Sequence, residues 1–306
     1  MRYLCADQLR EALPIRAAIE AMEAAFGDDA EAPQRVALGG SLFMPGRVGP
    51  HTGVKVVSTV PGRPSGIVAV FAEDGRPLGM VDGPTLTSLR TAAGAGLATR
   101  LLARQDARVM AMLGAGAMAF DQVQAVRAVR DIERVLVWSR THERALRLAE
   151  RVGGEALNDA DQAVAQADVV TCATPARKPL FSPEAVRPGA HLNAIGAFTP
   201  EMVEVPAEVV RSAWVVVDSR EAAAAEAGDL LQAGRPPDAT VGDLLAGRRP
   251  GRQGDQQLTL FKSVGVAGQD VAATVAALGR ARLSDLGTSL DELRKPATAP
   301  GRSRPG

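Results

Sequence analysis

With 306 residues the chain has room for about two domains and a substantial core. Its 35 basic and 35 acidic residues cancel, so bulk charge points away from nucleic acid and anionic membranes and toward a small-molecule partner. The only cysteines, Cys5 and Cys172, lie far apart without metal-ligand spacing, which argues against a disulfide framework and a zinc site; no metal is expected.

The N-terminus carries no basic segment followed by an apolar h-region, and no apolar run reaches the roughly 20 residues that span a bilayer. A cytoplasmic protein is the expectation. Residues 7–26 place Leu9, Leu13, Ile19, Met22 and Phe26 at helical spacings interrupted by Pro14, which predicts two short helices. A β-rich block follows. Residues 53–60, 66–71 and 77–82 are rich in β-branched side chains, and Glu73-Asp-Gly75 reads as a hairpin turn, so this block is antiparallel in character. Residues 85–102 form a long helix with a face of small residues (Ala92, Ala93, Gly94, Ala95, Gly96, Ala98), a surface that allows close backbone approach, as at a domain junction.

From Ala107 the rhythm changes to alternating strand and helix, the pattern of a parallel sheet covered on both faces. Strands are readable at 107–113, 133–138, 168–172, 190–195 and 213–218, with a weaker one near 155–157. Six strands fit a doubly wound fold. Residues 291–306 have the composition of a disordered tail.

The first strand of this second block ends in Gly114-Ala-Gly116-Ala-Met-Ala119 and runs into a helix. A helix N-terminus offers unpaired N–H groups and positive dipole character, and the two glycines let a pyrophosphate come close. Gly114, Ala115, Gly116, Ala117, Met118 and Ala119 are therefore candidate cofactor contacts, with alanine in the permitted third position. Glycine-rich strand–helix turns also occur without nucleotide, so context has to carry the assignment. An NAD site would place a carboxylate at the tip of the next strand, about 20 residues on. Here the strand ends in Ser139-Arg140-Thr141. A guanidinium beside two hydroxyls suits a 2′-phosphate better than a bare ribose diol, so NADP(H) is preferred and NAD(H) remains possible. Thr174, just past another strand end, faces the same crevice.

Several blocks occur together and in order: Gly53-Val-Lys55-Val-Val, Ser88-Leu-Arg90-Thr-Ala-Ala93, the glycine turn, Asn193-Ala-Ile-Gly196, Glu226-Ala-Gly-Asp-Leu230 and Leu260-Phe-Lys-Ser-Val-Gly-Val-Ala267. With them the chain resembles the ornithine cyclodeaminase/μ-crystallin family over about residues 1–280. The resemblance implies an α/β fold in which a Rossmann-type doubly wound sheet (106–262) is inserted in a smaller α+β substrate-binding and dimerisation domain (1–105 plus 263–290). It also implies a homodimer. The implied chemistry is hydride transfer at a carbon–nitrogen bond next to a carboxylate. Arg35, Lys55 and Arg90 match the family's substrate-contacting cations: Arg35 and Arg90 to clamp the carboxylate, Lys55 to bond it or supply a proton near the nitrogen. Arg90 interrupts a helix of small and apolar residues, so it is either paired inside or held ready for an anion. Val264 belongs to the segment that flanks the nicotinamide in the family.

The chain departs from the cyclodeaminases at Gly196-Ala-Phe-Thr-Pro200, where Phe198 stands in place of an aspartate that manages protons. A phenyl ring cannot move a proton, so reduction of a preformed cyclic ketimine, Δ1-pyrroline-2-carboxylate or Δ1-piperideine-2-carboxylate, is preferred over cyclodeamination of ornithine. A cofactor-binding, crystallin-like protein with little turnover is a third possibility. Structural roles are expected for Asp218, Glu226 and Asp229, and His51, His142 and His191 form no cluster.

Overall fold

In the computed structural model, which describes residues 1–60 and 65–289, two sheets with different grammar lie either side of a long helix. The tail expected at 291–306 lies outside the described residues. The chain starts with β1 (Arg2–Leu4), α1 (Ala6–Ala12) and α2 (Ile15–Ala25). Pro14 divides the two helices as anticipated: it has no N–H to continue α1, and its φ of −58° is already set to begin α2.

Next come β2 (Ala30–Glu31), β3 (Val36–Leu38), β4 (Ser41–Val48), β5 (His51–Ser58), β6 (Gly66–Phe71) and β7 (Pro77–Asp82). Strands β4 to β7 pair antiparallel in sequence, while β1 joins β7 in parallel. Sequence reasoning did not find β4, because Pro45-Gly46 looks like a break. The sheet accommodates it: β3 covers residues 41–43 of β4 and β2 covers residues 47–48, so Pro45 falls where the outer side of the strand has no ladder.

Helix α3 (Gly83–Leu102) begins two residues before the expected start, with the Asp82 carboxylate accepting from Thr85 N at 2.8 Å. Its small residues serve close approach from several sides. A Cβ on Gly94 would come within 2.8 Å of Gln269 Nε2, and one on Gly96 within 2.9 Å of Ile19 and 3.2 Å of Ala125. The helix thus packs against α2, against a helix of the second sheet and against the chain's last long helix.

The second sheet contains β8 (Val109–Leu113), α4 (Ala119–Val129), β9 (Arg134–Trp138), α5 (His142–Val152), β10 (Glu155–Ala156), α6 (Ala160–Val164), β11 (Val169–Cys172), β12 (His191–Ala194), α7 (Ala207–Ser212), β13 (Trp214–Val217), α8 (Arg220–Glu226), α9 (Gly228–Ala233), β14 (Ala239–Thr240), α10 (Val241–Leu245) and β15 (Thr259–Lys262). Its order is β10-β9-β8-β11-β12-β15-β13-β14, parallel throughout. The chain winds one way from β8 to β10 and the other way from β11, which opens a crevice at the carboxyl ends of β8 and β11. Eight strands are present among the described residues where six were anticipated. Strand β15, with all four residues buried, escaped notice because Lys262 interrupts its apolar run. Finally α11 (Ala267–Leu283) lies across β4, β5 and β6, and β16 (Thr288–Ser289) pairs with β1. Among the described residues no helix is long and apolar enough to cross a membrane.

Candidate active site

The glycine turn sits at the mouth of the crevice. Gly114 has φ +108°, and a Cβ there would lie 2.7 Å from Ala173 O and 2.8 Å from Thr174 Cγ2, so only glycine brings the end of β8 this close to the end of β11. Gly116 differs: a Cβ there would meet nothing within 4 Å. That open space lies at the start of α4, whose first amides have no intrahelical acceptors. The turn therefore fits a pyrophosphate. Beside it is a hollow of about 420 Å³ lined by Ala115, Gly116, Ala117, Phe120, Arg144, Arg147, Leu148 and Arg151. Sequence reasoning missed these three arginines, although their spacing on α5 puts them on one face. Arg151 stacks 3.7 Å from the centre of the Phe120 ring. Ser139, Arg140 and Thr141 stand between β9 and α5, with Arg140 exposed.

A second cavity, of about 480 Å³, opens between the two sheets. Arg35, Lys55, Arg90, Ala117, Met118, Phe198 and Val264 all line it, so residues widely separated in the chain meet in one place. Leu42, Met44, Val57 and Ile195 supply an apolar wall. Phe198 is 48% exposed and stands at the rim. No aspartate or glutamate is among the described lining residues.

The cations are held from behind. Lys55 on β5 and Arg90 on α3 are both buried, and both donate to one oxygen of Asp270 on α11: Lys55 Nζ at 3.2 Å and Arg90 Nε at 3.1 Å from Oδ1. Arg90 Nη1 also donates to Gln269 Oε1 at 3.1 Å. The guanidinium lies against Gly265, whose φ is +80° and whose Cβ, if present, would lie 2.6 Å from Nη1. Burial pulls Lys55 down to a pKa of about 8, with Arg90 and Arg35 adding to the effect and Asp270 opposing it. Arg35, just before β3, uses Nη2 to reach Gly265 O at 2.8 Å and Glu226 at 2.8 Å.

Two further carboxylates build the loops around the cavity. Asp218 at the end of β13 accepts through Oδ2 from Ser263 Oγ at 2.8 Å, Val264 N at 2.9 Å and Gly265 N at 2.7 Å. The Val264 N–H is thus engaged by Asp218, and its carbonyl accepts from Arg35 at 3.3 Å. Glu204, fully buried and not foreseen from sequence, clamps two strand ends. Oε1 accepts from Thr174 N at 2.6 Å and Thr174 Oγ1 at 2.9 Å; Oε2 accepts from Gly196 N at 2.7 Å and Ala197 N at 3.1 Å. Burial raises its pKa, while Lys262 and the donors at Thr174 lower it. Lys262 itself pairs with Asp229 at 2.8 Å and donates to Ala197 O. His191 is buried between Thr259 and Asn193, and neither it nor His51 nor His142 lines the cavity. The described residues contain no group of three or more His, Cys, Asp or Glu placed to hold a metal ion.

Comparison with known proteins places this geometry. Δ1-pyrroline-2-carboxylate reductase of Bacillus cereus is 36% identical over 261 residues, which cover 78% of this chain and 80% of the relative. Ketimine reductase mu-crystallin of Mus musculus is 35% identical over 218 residues, covering 71% and 69%. The solved structure of Thermococcus litoralis Δ1-pyrroline-2-carboxylate reductase in complex with NADH and L-proline superposes with a TM-score of 0.88 at 30% identity, covering 95% of this chain and all of that one. The sequence profile of the ornithine cyclodeaminase/mu-crystallin family matches residues 8–283. The chain belongs to the ornithine cyclodeaminase/mu-crystallin family.

Proposed function

We propose that the protein is an NAD(P)-dependent oxidoreductase that reduces a cyclic ketimine carboxylate, Δ1-pyrroline-2-carboxylate or Δ1-piperideine-2-carboxylate, to proline or pipecolate. One observation carries the reading. The cavity between the sheets puts three cations and an apolar wall beside the glycine turn, with no acid among its described lining residues. Such a site suits an anion with an apolar ring. The distal ammonium of ornithine would find no counter-charge there, and Phe198 offers no group to shuttle the protons that deamination and ring closure require.

In this reading residues 106–262 hold the dinucleotide, and residues 1–105 with 263–290 hold the substrate. A bound nicotinamide supplies the hydride. Arg90 and Arg35 fix the substrate carboxylate, and such orientation is worth up to about 7–11 kcal/mol of a barrier. Lys55, mostly protonated at neutral pH with a pKa of about 8, gives its proton to the ring nitrogen as the C=N bond becomes CH–NH, and regains one from solvent. Phe198 covers the apolar side of the ring at the cavity rim.

NADP(H) is the preferred form in the same reading, supported by Arg140 at the β9 tip and by Arg144 facing the glycine turn. A homodimer built through the first sheet is supported by exposed apolar side chains on its strands, Val36 at 56%, Leu38 at 71% and Ile67 at 42%. A cytoplasmic location is supported by the two unpaired thiols.

Assays that offer each cyclic imine with NADPH or NADH, and in parallel L-ornithine with NAD, test the proposal. Imine-dependent oxidation of the cofactor is expected. Ammonia release from ornithine without imine turnover would overturn it.

A further inference from the structure

Asp270 is not among the cavity's lining residues, yet the two cations that line it most deeply converge on a single oxygen of this carboxylate. The three groups come from three elements: β5, α3 and α11. All are buried, with side-chain exposures of 3% for Lys55, 7% for Arg90 and 1% for Asp270. Two cations this close repel each other unless an anion lies between them, and Asp270 is the only carboxylate hydrogen-bonded to either among the described residues. The remaining charged neighbour of Lys55 is Arg35, a further cation. With Lys55 and Arg90 charged and Asp270 ionised, the trio carries one net positive charge, enough to draw a carboxylate while keeping the fold tolerable.

The shared oxygen also sets geometry. Binding Arg90 through Nε, with Gln269 on Nη1, fixes the guanidinium from two sides and leaves Nη2 without a protein partner among the described residues. Lys55 spends one of its three N–H donors on Asp270, so two remain for the cavity.

Resting on the ketimine-reductase reading, we propose that Asp270 is a positioning residue for the reaction: through one carboxylate oxygen it keeps Lys55 charged as the proton donor and aims Arg90 at the substrate carboxylate. It touches neither substrate nor cofactor.

Two variants separate its charge from its geometry. Asp270→Asn removes the anion, and the alkaline limb of the kcat/KM profile, which reports the free enzyme and lies near pH 8 in the parent protein, moves about one pH unit or more toward acid. Asp270→Glu keeps the charge but displaces the oxygen, so the limb stays in place while kcat/KM falls on the order of 10–100-fold. A purely structural role lowers kcat/KM of Asp270→Asn evenly at all pH values and leaves the limb unmoved; that result overturns the proposal, as does parent-like turnover in Asp270→Glu. A readout without turnover stands beside these. The chain has four lysines, Lys55, Lys178, Lys262 and Lys295, so carbon-13 labelling at lysine Cε gives a spectrum in which Lys55 is assigned by its loss in Lys55→Arg. Lys55 is expected to titrate near pH 8 in the parent and at lower pH in Asp270→Asn; equal titration in both refutes the role. Absence of imine turnover in the parent overturns the ketimine reading, while the titration still decides Asp270.

Discussion

Replacing Glu204 with glutamine tests how the loops around the cofactor crevice are held. The carboxylate receives four hydrogen bonds, two at each oxygen, from Thr174 after β11 and from Gly196 and Ala197 after β12. A glutamine side chain has one acceptor oxygen and one donor amide. With its NH2 toward Gly196 N and Ala197 N it loses two bonds; with its NH2 toward Thr174 it loses the one from Thr174 N, because the Thr174 hydroxyl can turn to accept. Hydrogen bonds to a charged group contribute about 1.5–3 kcal/mol each, so the loss of at least one predicts destabilisation of at least about 1.5 kcal/mol. For a chain of this size that lowers the melting temperature by about 3 °C or more. Lys262, no longer facing an anion at Glu204, keeps only Asp229. The strand ends then separate, and with them Thr174 and the segment carrying Phe198. Thermal unfolding with and without NADPH, together with cofactor titration, measures both effects. A melting temperature within about 1 °C of the parent and an unchanged dissociation constant would refute the clamp.

Arg90→Met removes the inner half of the carboxylate clamp while leaving Asp270 paired with Lys55. It is expected to lower kcat/KM for the imine by roughly 100–1000-fold, the equivalent of about 3–4 kcal/mol, with cofactor affinity retained. Arg140→Ala should weaken NADPH binding and leave NADH binding unchanged; equal affinity of the parent for both would remove Arg140 from its role. His191 is fully buried and burial drives its pKa from 6.5 down to about 3, so the folded state holds it neutral. The unfolded chain takes up this proton first as the pH falls, so stability present above pH 6.5 is lost between about 6.5 and 3, by up to about 1.4 kcal/mol per pH unit. Urea unfolding at several pH values should show that slope, and His191→Gln should flatten it.

Part of the candidate site carries local signals in the sequence. Gly114 and Gly116 mark a strand–turn–helix junction by their neighbours alone, and Arg90 stands out in a helix of small residues. Arg35, Lys55 and Phe198 carry no such signal on their own; their assignment came through the family resemblance, and three-dimensional packing places them in one cavity. Asp270 and Glu204 went unread for a different reason. Asp270 acts on groups far away in sequence, Lys55 and Arg90, and Glu204 joins the nearby Gly196 and Ala197 to the more distant Thr174; nothing in the local pattern advertises those partners. A faint signal existed for Asp270: an acid in the first turn of a helix whose next nine residues, 271–279, are small or apolar but for Thr274, the mirror image of Arg90. In the fold, β4 and β15 were hidden because Pro45 and Lys262 break the local pattern, and each is tolerated by a tertiary arrangement: a gap in the outer ladder for one, a buried partner in Asp229 for the other.

The most direct test of the account is a crystal structure of the protein with L-proline and a nicotinamide cofactor. The proline carboxylate is expected within hydrogen-bond distance of Arg90 and Arg35, its ring nitrogen toward Lys55 Nζ, its ring against Phe198, and the pyrophosphate over Gly116. Proline seated outside the cavity between the sheets, or with its carboxylate away from Arg90 and Arg35, would contradict the account.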